Sequence, residues 1–422
     1  MKISRAYEKG AATLIVSMLL LCITAISIFY LNRNIIVEQV ASSNIVRSTA
    51  AHEAAEAGLE WAIGMLNNPQ LIDATCTVST TGAATFRQQY VQTNHLTDLN
   101  INVLAGAAPG CFINGTSSTC SCPTTGTTAA LSPSDYYPAF TVSFTKIDDN
   151  SVQVTSVGCN AIKSNPCTSA TASNSDATAT VKVILKLQPA LHAAPASSLT
   201  CGGSCTLDGS FSVINTNPSI NGITINAGGS ITTTGGASVT SISGMPVENS
   251  QVGNDSTLSS LASGGTCSNS KVFQAYFGTS ISNYASSGQV MSIDCTSANA
   301  CGTAVNAAYT AGWRSFYFPS GFYWNNSAGA TLGSELDPVT IVTPSTIDIN
   351  GNSTIYGLLF SNDSNFHDLG TGGSTINGAL VSCSDFNSNG NGQIVYDSAA
   401  LSNLGNNGAA AMIRVPGSWR DF

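Results

Sequence analysis

KGAATLIVSMLLLCITAISIFYLN, from Lys9 to Asn32, is the stretch that decides how this chain is organised. No residue between Gly10 and Asn32 is charged, and about 20 apolar residues suffice for a helix to cross a bilayer. Lys2, Arg5 and Lys9 lie on its N-terminal side, which predicts an N-terminus left in the cytoplasm and an exported C-terminal bulk. A secretory signal would end in a small-residue cleavage site after the apolar run. Tyr30-Leu31-Asn32-Arg33 does not supply one, so the segment is expected to stay with the protein.

Working outward, the helical pattern continues well past the apolar run. No proline occurs before Pro69, and only Gly58 and Gly64 interrupt the stretch between Gly10 and that proline. Ala51, Ala54, Ala55, Gly58, Leu59, Ala62, Ile63 and Leu66 recur at helical spacing, with Glu53, Glu56 and Glu60 on another face. Asn67-Asn68-Pro69 supplies a stop. A helix over this range would be about 80 Å long. Its outer half must lay a small-residue stripe against its own head domain or against neighbouring helices. On these grounds alone, a bitopic protein with a long juxtamembrane helix is the competing reading.

KGAATLIVSMLLL resembles a prepilin leader and the start of a pilin helix, and AHEAAEAGLEWAIGML (Ala51 to Leu66) is similar to the helix end of PilX-type minor pilins of type IV pili. The resemblance ends near Leu66. It implies cleavage by a prepilin peptidase after Gly10, methylation of Ala11, and packing against other pilins through the N-terminal helix. It further implies residence in the inner membrane of a Gram-negative bacterium before assembly, then in a surface pilus. A tip adhesin or surface ligand is a further partner it allows. Pilins usually carry Glu as the fifth residue after the cut; here that residue is Ile15. Without the carboxylate no ion pair to a neighbour's N-terminal amine can form, and a charge costly in lipid is avoided. This departure argues against an abundant shaft subunit and favours an initiating or tip position, as in the Glu-lacking tip pseudopilin of type II secretion systems.

Only 9 % of the 422 residues are charged, against roughly a quarter in soluble domains. A net charge of −9 with fourteen Lys and Arg leaves no footprint for nucleic acid. Of thirteen cysteines, Cys22 lies in the apolar run, where a free buried thiol is expected. The other twelve suit disulfides in an oxidising compartment. Cys159 with Cys167, Cys201 with Cys205, and Cys295 with Cys301 are candidate short-loop bridges. Cys76, Cys111, Cys120, Cys122, Cys267 and Cys383 cannot be paired from sequence. No second pair stands at finger spacing, so no metal site is expected.

From about Leu71 to Leu191 alternation marks a β-rich head. Val181, Val183, Leu185 and Leu187 alternate with polar residues, and Phe140, Val142, Phe144 precede Val152 and Val154 across an Asp148-Asp149-Asn150-Ser151 turn. Those aspartates read as a solvated hairpin turn before they read as a cation site. His192 to Ser198 suggests a linker. Beyond it Ser219-Ile220-Asn221-Gly222, Ser353 to Leu359 and Ser374 to Leu380 repeat a pattern, with a fainter echo at Gln393 to Asp397. The spacing of the later copies, a period of roughly 20, suggests stacked parallel rungs, with an antiparallel sandwich as the alternative. The aromatic cluster Trp313 to Trp324 reads as packing before it reads as a sugar platform. Val415 to Phe422 is expected to dock back as a cap.

The fold class expected is therefore α+β. A long N-terminal transmembrane helix of pilin type packs on a small antiparallel sheet, followed by a β-rich, parallel β-helix-like domain. Boundaries are 1–10 (leader), 11–67 (helix), 68–191 (head), 192–200 (linker) and 201–422 (solenoid). Catalysis is not expected and no cofactor is implied. Lys271, Arg314, Arg414 and Arg420 are the only basic residues of the last region, and Asp363, His367 and Asp368 its only acid/His group, placed in a polar turn. His52 and His95 lack evident partners. No phosphate loop, dinucleotide fingerprint or nucleophile elbow occurs. A minor pilin, a secretion pseudopilin and an anchored glycan enzyme are the readings to be separated.

Overall fold

Alanine-rich and leucine-rich sequence without proline leaves nothing to break a helix, and residues Ala11–Leu66 form one of 56 residues. The computed structural model describes residues 11–163, 167, 177–262, 271–325, 328–361, 368–369, 372–388, 390–406 and 410–421. Asn67 ends the helix, its N–H and side-chain amide both donating to the Ile63 carbonyl.

The head is an antiparallel sheet laid against the outer half of this helix. Tyr137–Asp148 and Ser151–Ile162 form its central hairpin, turning at Asp149-Asn150, and Thr178–Gln188 pairs on one side of it. Gly110–Asn114 and Ser117–Ser121 extend the other side. Alternation along these strands buries Val142, Val152, Val154, Val181, Val183, Leu185 and Leu187 in one core with Leu59, Ala62 and Leu66 of the helix. Bridges Cys76–Cys122, Cys111–Cys120 and Cys159–Cys167 staple it.

The free edge of Thr178–Gln188 is covered by the C-terminal end of the chain. Ala411–Arg414 and Arg420–Asp421 both pair with it antiparallel. The expected C-terminal cap therefore docks on the head sheet, and the expected solenoid region 201–422 divides: its last residues belong to the head. Everything between Gln188 and Ala411, which face each other in the ladder, is inserted between two neighbouring strands of one sheet.

Within the insertion, short strands stack in parallel ladders on three sides. On the first side the order is Met291–Ser292, Ser315–Tyr317, Val339–Thr343, Thr354–Ser361, Thr375–Ser382, Leu199–Cys201, Ile225–Ala227 and Gln251–Val252. Phe316, Ile341, Leu359, Leu380, Leu199 and Ile225 are in register along it and all are fully buried. A second side holds Phe322–Trp324, Ile347–Ile349 and Asp368–Leu369, then Phe386–Ser388, Cys205–Leu207 and Ile231–Thr233. On the third, Ile355, Ile376, Ile394, Val213 and Val239 align.

The order of coils differs from the order of the sequence. Residues 199–252 run outward from the middle of the stack. The chain then passes through helices Ser256–Leu261, Lys271–Phe277, Ile281–Ala285 and Ala298–Thr310 to the opposite end, and coils back. The last coil, ending at Tyr396, comes to rest on the first, so Phe386–Ser388 pairs with Cys205–Leu207. Entrance and exit of the insertion thus lie side by side, as insertion between paired strands requires. The expected linker 192–200 is shorter than its sequence suggested, because Leu199 already belongs to the ladder. Likewise Ser219 to Gly222 is no rung: it sits in a 3-10 turn, Pro218–Ile220, and its Asn221 (φ 54°) and Gly222 turn the chain.

The first side is buried on both faces. Its inward residues join the coil core, while Val342, Leu358, Phe360, Ala379, Val381 and Cys383 point the other way, into a second core with Phe273, Phe277, Tyr284, Leu401 and Leu404 from the helices. A strand buried on both faces reads as a continuous apolar run, which is why Gly357-Leu358-Leu359-Phe360 lacks alternation. Phe316, Phe318, Phe322 and Trp324 from the aromatic cluster are buried inside the stack.

Candidate functional site

The side chains positioned for function are those of the long helix, which has two unlike halves. From Leu14 to Val46 its large apolar residues stand exposed, Leu14 at 65 % and Val46 at 65 %. The charge-free part to Asn32 spans about 33 Å at 1.5 Å per residue, which matches a hydrocarbon core. Two hydroxyls inside it are satisfied within the helix: Ser17 Oγ donates to the Leu14 carbonyl at 2.9 Å and Thr24 Oγ1 to the Leu21 carbonyl at 3.0 Å. That is the requirement lipid imposes on a buried hydroxyl. Ile15 is 60 % exposed on this surface. Cys22, expected as a free buried thiol, is free but exposed.

The small-residue stripe is used by the head. Ala51, Ala54, Ala55, Leu59 and Ala62 are buried against the sheet, none more than 3 % exposed. Gly58 is needed there, since a Cβ would fall 2.4 Å from Ser156 Oγ and 2.6 Å from the Phe140 ring. From the sheet side Gly158 reciprocates: a Cβ there would lie 2.2 Å from the Ala51 carbonyl oxygen and from the Ala55 nitrogen. Helix and sheet meet backbone to backbone. Of the alternatives the sequence left open, its own head takes the stripe, and the apolar part of the helix before it stays exposed.

Glu53, Glu56 and Glu60 face outward and line a cleft of about 390 Å³ with Arg414 and Trp419. Arg414 pairs with Glu60, and His52 with Glu56 at 3.5 Å. Trp419, 46 % exposed, lies in the expected C-terminal cap, but its place at this cleft could not be read from sequence, because it reaches the helix only through the returning C-terminal strands.

Gly10 lies outside the described residues, and Ala11 is the first residue of the helix. The three short-loop bridges form: Cys159–Cys167, Cys201–Cys205 and Cys295–Cys301. The Asp148-Asp149 turn is a hairpin turn. Asp148 accepts from the Asn150 N–H at 2.8 Å and Asp149 pairs with Lys146 at 2.6 Å. Ser151, then Asn150, hold the Asp148 carboxyl below its ordinary range. Asp363 and His367 lie outside the described residues, and of Asp368 only the strand pairing with Asp348 is described. His95 Nδ1 lies 3.2 Å from the Gln92 carbonyl. Among the described residues no group of three His, Cys, Asp or Glu is placed to hold a metal.

A long apolar N-terminal helix with a β-rich, mixed α+β body is thus the architecture. No family model matches the chain, and no curated protein matches it. Among solved structures it is similar to the competence-associated pilin ComZ from Thermus thermophilus, at 11 % identity over 89 % of this chain and 97 % of that one. The TM-score is 0.21, too low for the likeness to carry an argument.

Proposed function

We propose that this chain is a minor subunit of a type IV pilin-like filament, acting by position and not by catalysis. The observation that carries the reading is the division of one unbroken helix. Its first part is apolar and exposed on every side, and its last part is locked onto an antiparallel sheet through Gly58 and Gly158. The first part suits lipid before assembly and the helices of neighbouring subunits afterwards. Small residues and internally bonded hydroxyls permit that exchange of surroundings.

The PilX-type resemblance of the N-terminal segment supplies the finer form: cleavage by prepilin peptidase after Gly10 and methylation of Ala11. Ile15 in place of an acidic residue favours an initiating or tip position. So does the insertion, which we read as a parallel β-solenoid about as bulky as the rest of the chain. Adhesion through that module would follow from such a place. A secretion pseudopilus would use the same N-terminal chemistry. Gly10→Val tests the filament reading: the variant should remain full-length in the inner membrane and be absent from sheared filaments. Its undiminished recovery in those filaments would refute it.

A further inference from the structure

The two ends of the coil stack are finished differently. At one end the helix Ala298–Thr310 lies over the core, burying Cys301, Val305 and Ala308 with Phe316, Phe322 and Trp324. Cys295–Cys301 staples its start. Its far end is fixed by Arg314, which pairs with Asp337 at 2.6 Å and lies 3.8 Å from the Tyr309 ring centre. This end also touches the head: the Leu71 N–H donates to the Ala311 carbonyl at 3.0 Å, and Gly312 abuts the Pro69 carbonyl.

At the other end Ile231–Thr233, Ser238–Thr240 and Gln251–Val252 each pair on one side only, among the described residues. Seven strand spacings separate Gln251–Val252 from Met291–Ser292 on the first side, which places this end about 34 Å along the stack from the head-contacting one. Solenoids ordinarily close such an end with a polar cap, and exposed edges carry lysine, proline or bulges that refuse another strand. Here none of the three strands holds a charge or a proline, and Glu248 is the only charged residue from Ile223 to Asn254. Val252, within the last of them, and Val247, just before it, stand exposed at 38 % and 39 %.

We infer that this bare end is a docking edge for an extended, uncharged β-strand of another exported protein, which adds to the ladder as one more parallel rung. Two features point to a strand. The edge offers unpaired backbone N–H and C=O groups, and strand addition is the recognition mode that uses them. The stack also already contains one such junction: Cys205–Leu207 receives Phe386–Ser388, from a coil far along the chain, through parallel backbone pairing. A second copy of this chain fits less well. Two identical ends meeting face to face would run their strands antiparallel, out of the parallel register shared by every rung. A strand carrying several charges would find a single counter-ion beside the edge, Glu248. The inference rests on the coil stack alone, so it stands or falls separately from the filament reading.

The test uses the full chain in detergent micelles and a synthetic peptide with the sequence of residues 223–242, an uncharged coil of the same stack. Amide hydrogen exchange should show saturable protection confined to residues 231–240 and 251–252. Thr232→Lys with Thr240→Lys, both on exposed positions, should weaken peptide binding about tenfold or more. Thr303→Lys, on the capping helix, should leave it unchanged and shows that added charge alone is not the cause. Absence of binding, protection elsewhere, or undiminished binding by the double-lysine chain would overturn the inference. So would a concentration-dependent dimer that protects residues 231–240 without peptide, since the edge would then pair with itself.

Discussion

Asn67 and Met412, 345 residues apart in sequence, hold each other: the Asn67 amide donates to the Met412 carbonyl at 3.0 Å and accepts the Met412 N–H at 2.7 Å. One side chain thereby ends the long helix and pins the C-terminal strand to the head. Arg87, fully buried, donates to the Ala410 carbonyl beside it. These bonds close the head after the chain has travelled through the whole insertion.

Asn67→Ala should therefore free the C-terminal strand before it unfolds anything else. Two backbone groups lose their partner, at about 1–3 kcal/mol each where they stay dry. Hydrogen exchange should speed up at residues 411–414 while the hairpin 137–162 keeps its protection. Equal loss across both would mean the strand has no stability of its own to lose.

Backbone contact between helix and sheet makes Gly158 intolerant of any side chain. Gly158→Ala puts a methyl 2.2 Å from Ala51 and Ala55 backbone atoms, which cannot swing aside as a side chain would. Thermal denaturation of the head should show a loss of about 1–3 kcal/mol or more. Gly64→Ala, with nothing within 4 Å, should instead gain about 0.5–1 kcal/mol from helix propensity.

In the coil stack Gly357 and Gly378 face each other in register, at φ 141° and 142°. A Cβ on Gly357 would lie 1.8 Å from the Val339 carbonyl oxygen, and one on Gly378 1.9 Å from that of Gly357. Gly357→Ala should disrupt the coils around it, seen as lost protection at 339–343 and 375–382 with the head intact. A variant with wild-type protection there would show that the rung does not depend on this glycine.

Loop length should rank the disulfides. Replacing Cys76 and Cys122 with serine opens a separation of 46 residues, and replacing Cys201 and Cys205 opens one of 4. Loop-closure entropy assigns these about 4 and about 2 kcal/mol respectively. Chemical denaturation of the two serine pairs should keep that order.

The helix and the parallel strands Thr354–Ser361 and Thr375–Ser382 were legible in sequence because each repeats a local pattern. The offset between the two clearest repeats is the strand register itself, Thr354 against Thr375, and the fainter echo continues it, Thr375 against Gln393. The order of coils was not legible. Leu199–Cys201 finds its partner in Leu380 to Ser382, and so short a strand has no period by which to announce a neighbour so distant. For the same reason the return of Ala411–Arg414 to the head was hidden, and with it the place of Trp419 beside Glu53 and Glu60. Cys111 and Cys120 pair because their strands do, which spacing alone could not tell from the bond between Cys76 and Cys122.

The central claim, that the apolar helix carries this protein into a filament, is tested most directly at its N-terminus. Mass spectrometry of the protein from sheared, purified surface filaments should find a chain beginning at methylated Ala11. Intact Met1, with the protein confined to the inner membrane, would contradict the account and leave a bitopic membrane protein in its place.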